Sequence, residues 1–297
     1  MAHIPVLLKE VIQYLDPKKN KNFIDATIGD AGHSIEILKR TAPKGKLLGL
    51  DWDKESLKRA KKRLREEGIK KERAILHQSN FKDIKEITQQ EKFFPVHGVL
   101  MDLGMSSYHI DESKRGFSYL RDEPLDMRFD KKSDLTAAEI INSWEIDEIE
   151  KILRFYGEER YSRRVVLGIK EARKKERIIS TGQLVEILKR ALPRNYDRGR
   201  IHPASRTFQA LRIVVNDELE SLKTGLSEAI RILEKNGRIA VISFHSLEDR
   251  IVKNLFRKYA AEGKIKILTK KPVVPSQEEI KTNPRSHSGK LRAAVKI

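Results

Sequence analysis

The chain has 297 residues, 39% hydrophobic and 35% charged, enough to bury one large core with an insertion or two separate ones. It carries 61 Lys and Arg against 43 Asp and Glu, a formal charge of +18 that favours a polyanionic partner. No apolar run is long enough to cross a bilayer and residues 1–5 lack a basic-then-apolar leader, so a cytoplasmic protein is expected. With no cysteine, disulfides, thiolate metal sites, cysteine-held iron-sulfur clusters and thiolate nucleophiles are excluded.

In chain order, residues 6–15 (VLLKEVIQYL) predict a short amphipathic helix stopped by Asp16 and Pro17. Residues 23–34 read as a strand ending at Asp25, a small-residue turn through Gly29, Ala31 and Gly32, and the start of a helix at His33 and Ser34. Residues 46–51 read as a second strand ending in Asp51. Such a turn lets a ligand press on bare backbone, the helix-start amides offer donors, and Asp51 offers an acceptor for ribose hydroxyls. The glycine spacing of a dinucleotide site is broken at Ala31 and Ser34, which weighs against a pyrophosphate and so against a nucleotide-dependent oxidoreductase.

A charged helix over 54–67, closed by Gly68, leads to strands over 74–77 and 97–102, and strands alternating with helices predict a parallel sheet covered on both faces. Beyond Asp102 the alternation stops. Residues 108–134 show no period and are expected to form a lid. Helical patterns follow over 135–143, 146–156, 160–175 and 181–192, forming an insert. Between 151 and 212 there are 17 basic and 6 acidic residues, with Phe155, Tyr156 and Tyr161 among them, a pattern that suits nucleic-acid binding. Steps of three and four from Phe208 to Leu233 then predict a single helix over 208–233, ended by Gly237. Residues 238–244 read as a fifth strand, a helix starts at His245, and 264–268 with 291–297 read as a closing strand pair. Residues 272–290 are expected to be a loop that orders on RNA.

The ends of the strands are where a ligand would lie. Phe81, after the third strand, either covers one face of an adenine or is an ordinary buried aromatic. Asp102, after the fourth, is either a helix cap or an acceptor that draws on the hydrogens of an exocyclic amine so that its lone pair can attack an electrophilic carbon. Without a cysteine, the covalent route to a pyrimidine C5 is closed. His245 either approaches the base or caps the following helix. Arg206, Gln209, Arg212 and Asn216 share roughly one helix side, which either meets RNA and the target base or bonds internally. No second histidine or carboxylate stands at ligand spacing from His33, so no metal site is expected.

The spacing of Asp25, Gly29, Ala31 and Gly32 looks like the first motif of Rossmann-like S-adenosylmethionine-dependent methyltransferases. A larger set resembles the family of bacterial small-subunit ribosomal RNA cytosine-N4 methyltransferases known as MraW. It comprises His3-x-Pro5-Val6-Leu7-Leu8, Asp25-x-Thr27-x-Gly29-x-x-Gly32-His33-Ser34, Asp102-Leu103-Gly104-x-Ser106-Ser107, Gly116-Phe117-Ser118, and Pro124-Leu125-Asp126-Met127-Arg128. It continues with Tyr156-Gly157-Glu158-Glu159, Arg206-x-Phe208-Gln209-Ala210-Leu211-Arg212-Ile213, Asn216-x-Glu218-Leu219, and Ser243-Phe244-His245-Ser246-Leu247-Glu248-Asp249-Arg250.

The resemblance implies an α/β, Rossmann-like methyltransferase domain (1–107 and 206–297) interrupted by a mostly helical, basic substrate-binding domain (108–205). It implies methyl transfer from S-adenosylmethionine to N4 of a cytosine of 16S ribosomal RNA in the decoding centre, within the small subunit. Cofactor contacts would be Asp25, Gly29, Gly32, His33, Ser34, Asp51, Phe81, Asp102 and His109. Catalytic residues would be Asp102, His245 and Asn216, and RNA contacts Arg160, Arg163, Arg164, Arg206, Gln209 and Arg212. The sequence departs from the family pattern at Ala31, for a second glycine, at Tyr108-His109, for Pro-Gln, and at Glu123, for a glycine. A DNA amine methyltransferase and a noncatalytic RNA-binding assembly protein are the alternatives.

Overall fold

The computed structural model describes residues 4–196 and 201–297; His3 of the N-terminal motif lies outside them. In chain order the first elements are α1 (Leu8–Leu15), β1 (Phe23–Asp25), α2 (Gly32–Arg40), β2 (Leu47–Asp51), α3 (Lys54–Glu66), β3 (Ala74–Gln78), α4 (Ile84–Gln90) and β4 (Val96–Asp102). Next come α5 (Ser107–Asp111), α6 (Ala137–Ser143), α7 (Ile146–Phe155), α8 (Ser162–Arg173), α9 (Thr181–Ala191) and α10 (Ser205–Val215). The chain closes with α11 (Glu218–Ile232), β5 (Leu233–Ser243), α12 (Ser246–Ala261), β6 (Ile265–Ile267), α13 (Gln277–Thr282) and β7 (Lys290–Lys296).

These elements form two compact units, Met1–Gly104 with Leu219–Ile297, and Met105–Glu218. In the first unit a seven-stranded sheet runs β3-β2-β1-β4-β5-β7-β6. β1 to β5 are parallel, and β7 runs antiparallel between β5 and β6, so this is the Rossmann-like sheet closed by the expected strand pair. Successive side chains of a strand point to opposite faces, and both faces are apolar here. Ile24, Leu48, Val99, Met101 and Val241 pack with Leu222, Leu226 and Phe256. Phe23, Leu47, Leu100, Ala240 and Ile242 pack with Val11, Leu15, Ile35, Leu38 and Ala60. Each fully buried Leu, Ile or Phe among them contributes roughly 1.5–3 kcal/mol.

The second unit has its own core, in which Ile140, Ile149, Leu153, Val165, Ile169, Leu184, Leu188, Phe208 and Leu211 meet. α10 therefore belongs with the helical insert, and the units divide at 104/105 and 218/219 instead of 107/108 and 205/206. The single helix expected over 208–233 is two helices. Asp217 adopts φ 47° between them, a left-handed turn that interrupts the helix without disturbing the apolar spacing on either side, so periodicity alone does not reveal it. Gly237 does not end α11 either. It lies within β5, where an added Cβ would sit 2.7 Å from the Glu234 carbonyl oxygen.

Two segments expected to be loose are packed. Within 108–134, Phe117, Leu125 and Met127 are buried in the helical core, and the Arg115 guanidinium donates to the carbonyls of Arg128 and Phe129 at 3.0 and 2.9 Å. The Glu123 carboxylate accepts the Gly116 N–H at 3.0 Å. This segment is packed onto the core of the second unit. Residues 272–290 include α13, whose Glu279 carboxylate accepts the Leu7 N–H at 2.7 Å, while Asn283 donates to the Ile4 carbonyl at 3.1 Å. Contacts within the chain order this stretch, contrary to a loop that waits for RNA.

Candidate functional site

In the first unit the turn after β1 is organised by two carboxylates. Asp25 is buried and accepts the Ser34 hydroxyl at 2.6 Å and the Thr27 N–H at 3.2 Å; burial nevertheless pushes it up to about 6. Gly29, at φ 49°, turns its N–H onto Asp51 Oδ2 at 2.9 Å. Asp51 Oδ1 accepts the Asp53 N–H at 2.9 Å, and burial pushes Asp51 up to about 7 against the lowering effect of these bonds. A carboxylate offers about four lone-pair sites, so Asp51 keeps capacity for further donors. An added Cβ on Gly29 would meet nothing closer than the Thr27 carbonyl oxygen at 3.9 Å: the backbone here is open.

Ala31, where the family pattern has glycine, sits at φ 60°, a left-handed conformation that costs a residue with a Cβ roughly 1–2 kcal/mol. Its fully buried side chain packs in the core under the turn. Gly32 is different: a Cβ there would lie 2.4 Å from Pro5 Cγ, so the N-terminal segment rests directly on the turn. His33 is buried, with Nε2 3.0 Å from the Val6 carbonyl oxygen and Nδ1 3.6 Å from Asp102 Oδ2.

Asp102 ends β4. Its side chain is 21% exposed, yet Oδ1 is buried and has no hydrogen-bond partner among the described residues. Burial, then the Asp25 and Glu248 carboxylates, push Asp102 well above the ordinary carboxylate range. Asp102 does not cap a helix: Ser106 caps α5.

At the end of β5, His245 is the N-cap of α12, its Nδ1 accepting the Glu248 N–H at 3.4 Å, while the Glu248 carboxylate accepts the Phe244 N–H at 2.8 Å. His245 Nε2 lies 3.2 Å from Glu248 Oε1. Of the two readings of His245, capping is the one the geometry realises. Phe81 follows β3 with its ring centroid 6.1 Å from that of Trp52, and its partly buried ring packs on the core. Trp52, next to Asp51 and beside Phe81, lies outside the quoted motifs, although an aromatic directly after a strand-end carboxylate is visible in the sequence. Thr27 and Glu248 were quoted in the motifs but given no role.

The second unit uses several of the expected site residues for its own structure. The Asn216 amide is fully engaged: Oδ1 accepts the Phe129 N–H at 2.8 Å and Nδ2 donates to the Met127 and Arg212 carbonyls at 2.8 and 2.9 Å. It ties the 127–129 strip to the end of α10, and the amide for which a catalytic role is expected is engaged within the chain. His109 is buried, its Nδ1 3.0 Å from Ser106 Oγ and its ring 4.9 Å from that of Phe129 and 5.2 Å from that of Phe117. It closes the cap of α5 inside an aromatic cluster.

Arg212 makes a two-bond pair with Glu218 at 2.8 and 2.9 Å, both side chains nearly buried, and Gln209 donates to the Tyr156 carbonyl at 2.8 Å. Arg206 lies over the Tyr196 ring, 5.8 Å from its centroid, and is only partly exposed. All three make ties within the second unit. Arg160, Arg163 and Arg164 are exposed; Arg163 bridges to Glu150 at 2.9 Å and Asp147 at 3.4 Å. Phe155, at the end of α7, is 63% exposed. Among the described residues no helix is long and apolar enough to cross a membrane.

An open turn, a carboxylate with spare acceptor capacity, flanking aromatics and a buried, unpartnered carboxylate oxygen at the next strand end suit an adenosine carrying a cationic, methyl-bearing group. Comparison with known proteins agrees. The chain is 47% identical over 297 residues to the ribosomal RNA small subunit methyltransferase H of Persephonella marina, covering 100% of both chains. It is 46% identical over 310 residues to the protein of that name from Symbiobacterium thermophilum, covering 99% of this chain and 96% of the relative. It is 46% identical to the one from Sulfurihydrogenibium sp., again over 100% of both. The model of the MraW methylase family matches residues 1–297, every strand-end residue above included, and the chain therefore belongs to that family of S-adenosylmethionine-dependent methyltransferases.

Proposed function

We propose that the protein methylates the exocyclic N4 amine of a cytosine in 16S ribosomal RNA, in the decoding centre of the small subunit, by direct displacement without a covalent enzyme adduct. The observation that carries the chemistry is Asp102, a carboxyl group at a strand end with one buried, unpartnered oxygen. The names of the relatives support ribosomal RNA as the substrate, and the cysteine-free chain supports nitrogen over C5.

When bound, S-adenosylmethionine supplies an electrophilic methyl group on a sulfonium. The open backbone at Gly29, the spare acceptor sites of Asp51 and the Phe81 and Trp52 rings would hold its adenosine, while Asp25 and Ser34 keep the turn in shape. Asp102 accepts a hydrogen bond from the target amine, which frees the nitrogen lone pair, and receives the proton the amine loses. His245 acts as a positioning residue that holds Glu248 near Asp102. Arg160, Arg163 and Arg164 contact phosphate, and Phe155 offers an exposed ring to an unpaired base.

The test is transfer of labelled methyl to small ribosomal subunits from cells lacking the protein, followed by mass analysis of nucleosides. N4-methylcytidine is expected. Labelling of DNA but not RNA would favour a DNA methyltransferase, and RNA binding with no transfer would favour a noncatalytic assembly protein.

A further inference from the structure

His33 is placed for a task beyond lining a turn. The Val6 carbonyl can only accept, so the Nε2 that lies 3.0 Å from it carries the ring's proton. Neutral His33 then presents its Nδ1 lone pair toward Asp102 Oδ2, 3.6 Å away. That gap is slightly too long for a hydrogen bond, and such contacts commonly tighten when substrates fill a site. Val6 is itself fixed: it is buried, the preceding Pro5 rests on Gly32, and the following Leu7 N–H is held by Glu279. Among the described residues, the charged and titratable groups recorded around Asp102 are Asp25 at the end of β1 and Glu248 at the start of α12, with His245 beside Glu248. His33 Nδ1 approaches Asp102 in an ion-pair geometry.

We propose that His33 is the proton reservoir of the reaction, taking on Nδ1 the proton that Asp102 receives from the amine, with its tautomer set by the Val6 carbonyl. This rests on Asp102 as the amine's acceptor. In the balanced step, the amine nitrogen forms a bond to the methyl carbon as the carbon–sulfur bond breaks, its electron pair staying on sulfur. One N–H proton leaves the nitrogen for the Asp102 carboxylate and moves on to Nδ1, giving a neutral methylamine, a restored carboxylate and an imidazolium. The imidazolium lies against the carboxylate until it releases its proton to solvent. Asp102 is thereby returned to its accepting form, which matters because a carboxyl that kept the proton in so crowded an acidic setting could not accept again.

The experiment follows His33 by nitrogen NMR in histidine-labelled protein without cofactor, and then by methyl-transfer kinetics. In the wild type, His33 is expected as the Nε2–H tautomer at high pH, and Asp102→Asn is expected to lower the midpoint of its titration by removing the facing carboxyl. An Nδ1–H tautomer, or a midpoint indifferent to Asp102→Asn, would overturn the proposal. His33→Gln keeps a donor for the Val6 carbonyl but holds no proton. At saturating cofactor it is expected to lose ~10-fold or more in kcat and to shift the acid limb of the kcat–pH profile, which then reports Asp102 alone, while binding S-adenosylhomocysteine within about 3-fold of wild type, roughly 0.65 kcal/mol. Wild-type kcat with the acid limb unmoved would overturn it. Should Asp102→Asn retain full activity, the acceptor reading itself fails; should Asp102→Asn be inactive and His33→Gln normal, only the reservoir fails.

Discussion

The Thr27 hydroxyl accepts the Asp102 backbone N–H at 2.6 Å, joining the turn after β1 to the end of β4. The contact places the turn and the strand end that carries the Asp102 carboxyl in one hydrogen-bonded frame. Thr27→Val keeps the shape and removes the acceptor, leaving the Asp102 N–H without its partner. A loss of about 1–3 kcal/mol in unfolding free energy is expected, together with a fall in kcat. Denaturant titration beside a methyl-transfer assay checks it, and an unchanged kcat would separate Asp102 from the frame.

Asp102→Ala is expected to abolish methyl transfer by at least about 100-fold, with cofactor binding and the fold retained. Its thermal midpoint should not drop, because the variant removes a carboxyl that burial disfavours in its charged form. Wild-type activity in this variant would remove Asp102 from the mechanism.

Asp51 links the cofactor to pH. Folded, it keeps its proton up to about 7, whereas its ordinary value is 3.8. The native state therefore binds more protons than the unfolded state between those values. The stability from this group is complete below 3.8 and is lost as pH rises through about 7. Asp51→Asn should flatten that decline when unfolding is followed across the same range. Ribose hydroxyls donating to Asp51 favour its ionised form, so binding of S-adenosylhomocysteine near pH 6 should release protons, measurable by calorimetry in buffers of different ionisation enthalpy. In the variant that release should shrink and the affinity fall by about 10- to 100-fold.

Gly32→Ala would drive a Cβ to 2.4 Å from Pro5 Cγ. Because Pro5 precedes the segment fixed to His33 and Glu279, a destabilisation of about 1–3 kcal/mol is expected. Pro5→Ala should relieve part of it, since the Pro5 Cβ lies at 3.4 Å from the same point. Absence of rescue in the double variant would place the strain elsewhere.

Arg164 and Arg212 should separate RNA contact from internal support. Arg164→Ala, on the exposed face of α8, is expected to leave stability within about 0.5 kcal/mol and to reduce the slope of log K against log salt by about 0.7 for single-stranded RNA. Arg212→Ala strands the nearly buried Glu218 carboxylate and is expected to cost about 3 kcal/mol or more. The reverse pattern would return the face of α10 to RNA.

The sequence by itself determined the sheet, its closing strand pair, the turn at Gly29 and Gly32 and the strand-end carboxylates Asp25, Asp51 and Asp102. These depend on short-range signals, apolar runs, small residues at a turn and a carboxylate closing a strand, which survive without knowledge of the partner surface. Tertiary structure decided the rest. Gln209, Arg212 and Asn216 have the polarity of a binding face, and only the positions of Tyr156, Glu218 and Phe129 reveal that their donors and acceptors are already engaged. His109 carries a metal- or ligand-capable imidazole, and only Phe117, Phe129 and Ser106 around it make it a cap in an aromatic core. One positive φ at Asp217 breaks a helix that periodicity reads as continuous. Hydrogen-bonding capacity is a property of a residue, but whether it is available is a property of what the fold brings beside it.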